Sequence, residues 1–426
     1  MLVTVIFLAV LLAGMLIGMP IAHSLVLTGV ALMWYLDFFD SQLLAQNLLA
    51  GFDSFPLLAV PFFILAGELM NVGGLSRRII DLARAFVGHI RGGLGYVAIA
   101  AAILLASMSG SAIADTAALA TILLPMMRDQ KYPDSYSAGL LASGGIIAPI
   151  IPPSMPFVIY GVTTNTSISK LFLSGVFPGL MMGLFLLFAW WWIARSHRLA
   201  PMERTGWGER GRALVRSIWA LMMPVIILGG LKFGVFTPTE AAVVAAVYAL
   251  VVSMFVYREL GWRQVWQVFI AAGKTTAVVM FLCGAATVTA YMITLADLPN
   301  QLAGTFAPVM DRPVLFMALM MVFLLFVGTA MDLTPTILIF GPVCAPLAMK
   351  AGIDPVYFGF MFIFVGSLGL ITPPVGTVQN VVAGVGRLRM ETVIKGTNPF
   401  LMVYLALLAL FVLFPSLILT PLKWIH

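Results

Sequence analysis

Charge is what this 426-residue chain has least of: Asp, Glu, Lys and Arg together make up 9% of it, where a soluble domain carries about a quarter. A chain so poor in charge cannot cover a water-facing surface, which excludes a soluble enzyme or binding module. Cysteine is almost as scarce. Cys283 and Cys344 stand alone in apolar surroundings, without metal-ligand spacing, and read as small buried hydrophobes. A basic leader and a small-residue cleavage site are missing around the first apolar run, Leu2–Met19, so that run reads as a retained helix and not a signal peptide. Long polar stretches are absent too, except Ser196–Arg216, whose composition suits a linker. The modest basic excess and pI near 9.4 do not imply nucleic acid, because Lys and Arg cluster in short loops between apolar runs.

What is abundant is apolar: 62% of residues are hydrophobic and the mean hydropathy is +1.07. This is the composition of an all-α polytopic membrane protein in a lipid bilayer. A window of about 19 residues marks Leu2–Met19, Pro20–Phe38, Phe55–Met70, Gly92–Met127, Ala138–Val162 and Leu171–Ile193. The series then repeats as Ile218–Val235, Pro238–Tyr257, Thr275–Leu295, Pro313–Met349, Val356–Val385 and Thr397–Leu419. Landmarks recur at a near-constant offset: Pro20 with Pro238, Gly110 with Gly328, Pro152-Pro153 with Pro373-Pro374. We read an internal duplication, residues 1–195 and 217–426 joined by the linker 196–216.

In each half the fourth segment is too long for one span and must turn back, since a helix rises 1.5 Å per residue against a hydrocarbon core of about 30 Å. Residues 92–127 and 313–349 are therefore expected to be re-entrant helical hairpins, with limbs of roughly fourteen residues on either side of a polar tip. Proline removes a backbone donor and clashes with the preceding turn, so Pro152-Pro153 and Pro373-Pro374 should break the helices 138–162 and 356–385. Five crossings per half is an odd number, which makes the two halves an inverted repeat of ten crossings and two hairpins. Charge supports this orientation. With both termini outside, 18 of the 23 Lys and Arg fall in inner loops, including 258–274, and only Lys170, Lys232, Arg312, Lys350 and Lys423 lie outside. Leu75–Val87 interleaves charged and apolar residues as an interfacial helix would, with Asp297–Phe306 as its outer counterpart.

Few ionisable residues sit at membrane depth, chiefly Asp115, Asp332, Glu68 and Glu240. A carboxylate there costs about 3 kcal/mol, so an ion, a proton or a partner is expected beside it. Asp115 and Asp332 read as a repeat-related pair, the first among Ser107, Ser109, Ser111 and Thr116, the second among Thr329, Thr334 and Thr336. Hard oxygen ligands without His or Cys suit an alkali cation such as Na⁺; the alternative is that these hydroxyls bond back to their own helices. The candidate cation set is Ser109, Ser111, Asp115, Pro149, Gly328, Asp332, Thr334 and Thr372. Half-helix ends at the proline breaks would favour an anionic substrate. The candidate substrate set there is Ser154, Thr372, Gly376, Thr377 and Asn380. Glu240, three residues after Thr237 and with Pro238 between, fits a capping box.

Four elements together, Gly-Ser-Ala-Ile-Ala-Asp-Thr-Ala-Ala at 110–118, the Pro-Pro breaks, Val-Gly-His-Ile-Arg-Gly-Gly-Leu-Gly at 87–95 and Gly-Val-Phe-Thr-Pro-Thr-Glu-Ala at 234–241, resemble the large membrane subunit of tripartite ATP-independent periplasmic (TRAP) transporters in its unfused form. The resemblance spans essentially the whole chain. It implies a non-enzymatic, Na⁺-coupled elevator transporter of the bacterial inner membrane, with cation ligands falling on Ser109, Asp115 and Asp332. Its implied partners are a small four-helix membrane subunit and a soluble periplasmic substrate-binding protein, and its substrate a small carboxylate such as a C4-dicarboxylate, sialic acid or another sugar acid. A single-component sodium/anion symporter would share the fold logic. An intramembrane aspartyl protease also needs two membrane aspartates, but would place them on full crossing helices converging on one dyad.

Overall fold

Long apolar runs without an internal breaker become helices because no other single segment satisfies its own backbone in hydrocarbon. The computed structural model describes residues 2–425 apart from 198, 200, 203, 299, 300, 302, 303 and 305–307, and the described residues contain helices and no strand. The first series is α1 (Leu2–Leu16), α2 (Ile21–Tyr35), α3 (Ser41–Ala50), α4 (Ala59–Val72), α5 (Leu75–Val87), α6 (Gly93–Ser109), α7 (Ala112–Asp129), α8 (Asp134–Gly145), α9 (Met155–Thr164) and α10 (Ile168–Ser196). The second is α11 (Trp207–Lys232), α12 (Pro238–Val251), α13 (Trp262–Leu295), α14 (Pro313–Ala330), α15 (Leu333–Lys350), α16 (Pro355–Gly369), α17 (Thr377–Gly386), α18 (Met390–Leu413) and α19 (Ser416–Ile425).

Both hairpins and both broken helices are present, α6–α7 with α8–α9 and α14–α15 with α16–α17, and each proline pair carries a cis peptide bond. The hairpins are tighter than expected: their turns are the two-residue Gly110–Ser111 and Met331–Asp332, leaving limbs of 17 and 18 residues. The serines and threonines expected in broad tips instead extend the helices. Two expected loops are also largely helical. α11 begins at Trp207, inside the linker 196–216, and α13 begins at Trp262, inside the loop 258–274. No proline falls between Trp207 and Arg216 or between Trp262 and Lys274, and the charged side chains there project from a helix.

Among the described residues, eight helices are long and apolar enough to cross a membrane. They include six of the ten expected crossings and both limbs of the second hairpin. The broken helices do not qualify as single elements, and α1 and α2 have 15 residues each, about 22 Å of rise. The amphipathic α5 buries Leu75, Ile79, Ile80 and Leu82 while exposing Arg77 and Arg84. Its expected counterpart, Asp297–Phe306, falls mostly outside the described residues. The Thr237–Glu240 capping box forms, Glu240 Oε2 accepting from the Thr237 N–H at 2.8 Å and Thr237 Oγ1 from the Glu240 N–H at 3.3 Å, so Glu240 starts α12.

Cross-links between helices pair backbone carbonyls with side-chain donors. Trp190 Nε1 donates to the Gly92 carbonyl at 2.8 Å, and Tyr404 Oη to that of Ser143 at 2.9 Å. Arg128 Nη2 donates to Gly386 O at 2.7 Å, tying the end of the first hairpin to the end of α17. α8 and α18 approach so closely that a Cβ on Gly139 would lie 2.2 Å from the Gly396 backbone, whereas one on Gly273 in α13 would meet open space. Gly139→Ala should therefore destabilise the detergent-solubilised protein by about 1–3 kcal/mol despite alanine's helix propensity. Gly273→Ala should stabilise it by about 0.5–1 kcal/mol. Thermal unfolding followed by circular dichroism checks both signs.

Candidate functional site

Each hairpin tip rests on the proline break of its own half. A Cβ on Gly110, whose φ is +63°, would lie 2.5 Å from the Pro153 carbonyl oxygen, so only glycine makes this left-handed turn at that distance. In the second half the Val375 N–H donates to Thr329 O at 3.2 Å, and Gly328 packs against Gly369 backbone to backbone. Ser154 Oγ donates to the Pro149 carbonyl, closing the first break on itself.

The first cluster is built around the start of α7. Ser111 caps that helix, its hydroxyl accepting from the Ala114 N–H at 3.3 Å, and the Ser111 N–H in turn donates to Ser109 Oγ at 3.2 Å. Ser109 donates its hydroxyl proton to Asp115 Oδ1. Asp115 is 2% exposed, and its other oxygen, Oδ2, is buried without a hydrogen-bond partner, as is Thr116 Oγ1. Gly145 leaves room for that hydroxyl: a Cβ there would be 1.7 Å from it. The open carboxylate oxygen and the open hydroxyl are each hard-oxygen donors, chemistry that fits an alkali cation.

The second cluster has a different register. Asp332 occupies the residue position just before α15, without a side-chain capping bond, so it holds the position of Ser111 and not that of Asp115. The same offset relates the two proline pairs, and it aligns Asp115 with Thr336, one turn deeper. Sequence alone paired the aspartates because the surrounding glycines and threonines allow a slip of a few residues. Thr336 Oγ1 donates to Asp332 O at 2.8 Å, Thr372 Oγ1 to Leu368 O at 2.7 Å, and Thr329 Oγ1 to Phe326 O at 2.7 Å. These hydroxyls, with Ser107 bonded to Leu104 O at 2.6 Å, serve their own helices. Thr377 Oγ1 is buried and unpartnered. Gln379, which composition gave no reason to single out, is 1% exposed; its Nε2 donates to Ile371 O at 2.7 Å while its Oε1 stays unpartnered. Gly376 makes the left-handed entry to α17, and Asn380 is exposed, donating to Val375 O at 2.8 Å.

A cavity of about 680 Å³ opens between the two tips and a wall made by the start of α2, the last turns of α4 and the middle of α13. From the candidate residues it gathers Ser111, Pro149, Asp332 and Thr334; Asp115 lies behind it, and Ser154, Thr372, Gly376, Thr377 and Asn380 lie outside its lining. The facing wall contributes Glu68 and His23, the latter unsuspected from sequence because a single histidine carries no spacing. Three helices present their first turns to this space: α7 through Ser111 and Ala112, α9 through Met155 and Pro156, and α15 through Leu333 and Thr334.

An all-helical bundle with paired hairpins, paired broken helices and a cavity between them is the architecture of a membrane transporter. The family profile described as the DctM component of the tripartite ATP-independent periplasmic transporter matches residues 8–417. The 2,3-diketo-L-gulonate TRAP transporter large permease protein YiaN of Escherichia coli K12 is 54% identical over 99% of both chains. The sialic acid TRAP transporter large permease protein SiaM of Vibrio cholerae is 39% identical over 94% of this chain and 93% of its own. The crystal structure of the Alcanivorax borkumensis YdaH transporter shares the fold, with a TM-score of 0.66 at 15% identity over 89% of this chain and 90% of that one. The chain belongs to the DctM family of TRAP transporter large permeases. That family implies a small membrane subunit and a periplasmic binding protein as partners.

Because Gly110 alone lets the first tip sit on Pro153, Gly110→Ala forces an alanine into a left-handed conformation costing about 1–2 kcal/mol and into the break behind it. Uptake by cells carrying this variant should fall at least about tenfold with the protein's membrane level unchanged. Gly229→Ala, which meets open space, should leave both at wild-type values.

Proposed function

We propose that this chain is the sodium-coupled permease through which a TRAP system of the bacterial inner membrane imports a small carboxylate. The observation that carries the anion is the convergence of three helix N-termini, those of α7, α9 and α15, on one cavity. The dipoles of these helix starts favour negative charge, and a volume of about 680 Å³ suits a sugar acid or a dicarboxylate. The 54% identity to a 2,3-diketo-L-gulonate permease favours the sugar-acid end of that range.

Sodium would be held behind the first tip by Asp115 and Thr116, and at the cavity wall by Asp332 with the oxygens of the second tip. A bound cation completes the coordination of buried oxygens and offsets the negative charge of the substrate beside it. The paired tips and broken helices would move as one body against α1, α2, α4 and α11–α13, carrying the cavity across the membrane as an elevator, in a repeat inverted about the membrane plane with both termini periplasmic.

Reconstitution tests this reading. Proteoliposomes containing the chain, the small membrane subunit and the binding protein should take up 2,3-diketo-L-gulonate along a Na⁺ gradient. Asp115→Asn or Asp332→Asn should lower that uptake at least about tenfold while the protein remains folded and inserted. Wild-type Na⁺ dependence in both variants would remove the cation assignment. The chain without its partners should be inactive; full Na⁺-dependent uptake by the lone chain would make it a single-component symporter.

A further inference from the structure

Sharing no residue with the cavity's lining, α5 and the first turns of α11 border two adjoining grooves of about 360 and 520 Å³ that share Arg78, Asp81 and Arg216 in their linings. The two helices are stitched by Ser217 Oγ, which donates to Arg78 O at 2.9 Å. Five arginines line the pair of grooves, and they divide into two kinds. Arg78 is committed to structure: its guanidinium is 2.7 Å from Glu259 and 3.7 Å from the centre of the Tyr257 ring. Arg84 pairs with Asp81 at 3.3 Å. Arg77, Arg212 and Arg216 are exposed and have no carboxylate within ion-pair distance among the described residues. Only Glu209, likewise without an ion pair, offsets them. The grooves thus keep about two positive charges, with Arg77 in one, Arg212 in the other and Arg216 at their junction.

The surroundings define what would neutralise them. Trp219, 46% exposed, lines the second groove beside Arg216, Trp207, 80% exposed, begins the same helix, and Val215 and Ile218 continue the exposed face as apolar surface. Tryptophan and arginine at the edge of an apolar band mark the headgroup level of a bilayer. A guanidinium binds a phosphate oxygen pair through two parallel N–H donors, and basic pockets between membrane helices take anionic lipid headgroups. We propose that the paired grooves seat one anionic phospholipid with two phosphodiesters, one phosphate in each groove, its acyl chains lying on the Val215–Ile218 face. Two charges, two grooves and a shared central arginine select a double headgroup of the cardiolipin type over a single phosphatidylglycerol.

Native mass spectrometry and thermal unfolding of the whole purified chain in dodecyl maltoside test this, with tetraoleoyl cardiolipin, dioleoyl phosphatidylglycerol, dioleoyl phosphatidylcholine and inorganic phosphate as separate additions. Cardiolipin should be retained at least about fivefold more tightly than phosphatidylglycerol, and phosphatidylcholine and phosphate should have no effect. The exposed triple variant Arg77→Gln, Arg212→Gln, Arg216→Gln should lose that preference, the triple lysine variant should recover part of it, and Arg195→Gln with Arg263→Gln should keep all of it. If the triple glutamine variant fails to fold, Arg216→Gln alone carries the test, with the same loss expected in smaller degree. Equal retention of the two anionic lipids, or retention unchanged in the glutamine variants, overturns the proposal. Equal stabilisation by inorganic phosphate would make this a free-phosphate site. Protection of these arginines from phenylglyoxal by the small membrane subunit and not by cardiolipin would give the surface to a protein.

Discussion

A peptide N–H or C=O left unpaired in hydrocarbon costs several kcal/mol, and this chain interrupts apolar helices at both hairpin turns and at both proline breaks. Each interruption is answered by another or closed on itself. Gly110 presses on the Pro153 carbonyl, Val375 donates to Thr329, Ser154 turns its hydroxyl back to Pro149, and Gln379 reaches the Ile371 carbonyl. Tips and breaks must therefore lie together, because apart each would expose backbone that lipid cannot satisfy. Their proximity also fills one region of the membrane with helix ends, and it is helix ends that give an otherwise apolar bundle a place for charge.

The same requirement explains why the candidate chemistry divides in two. Oxygens facing the cavity, Ser111 and the Asp332–Thr334 turn, lie where water and a solute enter. Asp115 Oδ2 and Thr116 Oγ1 lie behind the tip, shielded by Gly145 and by the cap that Ser109 and Ser111 form. In the proposed transport cycle this separation lets a cation be held by the protein alone while the anion is met by helix dipoles, with the tip itself as the only wall between them.

Much of this was legible because breakers act locally. Pro152-Pro153, Pro373-Pro374, Gly110 and the over-long fourth segments marked both hairpins and both broken helices to within a few residues, and the full-length match to TRAP large permeases agrees with the motifs that resembled them. What escaped was set by contacts distant in sequence or by helix register. Gln379 became notable only once the Ile371 carbonyl was left open beneath it. His23 and Glu68 acquired a common environment only when α2 and α4 closed over the tips. The alignment of Asp332 with Ser111 depended on which residue stands just before the helix, a choice that Gly-Thr-Ala-Met-Asp leaves open until the turn is built. The helical starts at Trp207 and Trp262 were hidden because polar residues on one side of a helix and polar residues in a loop have the same composition.

The bond from Arg128 to the Gly386 carbonyl, with Tyr404 fastened to Ser143, crosses the boundary between the two halves of the chain. A duplicated protein can treat its copies as independent modules or weld them. Here one bond welds the far end of the first hairpin to the second broken helix and the other welds α18 to the first broken helix, by side chains whose loss would strand backbone carbonyls. Neither copy is then free to drift or diverge in shape without straining its twin, and the pair is held to a symmetry that its side chains, one copy placing an acid where the other places a serine, have already abandoned.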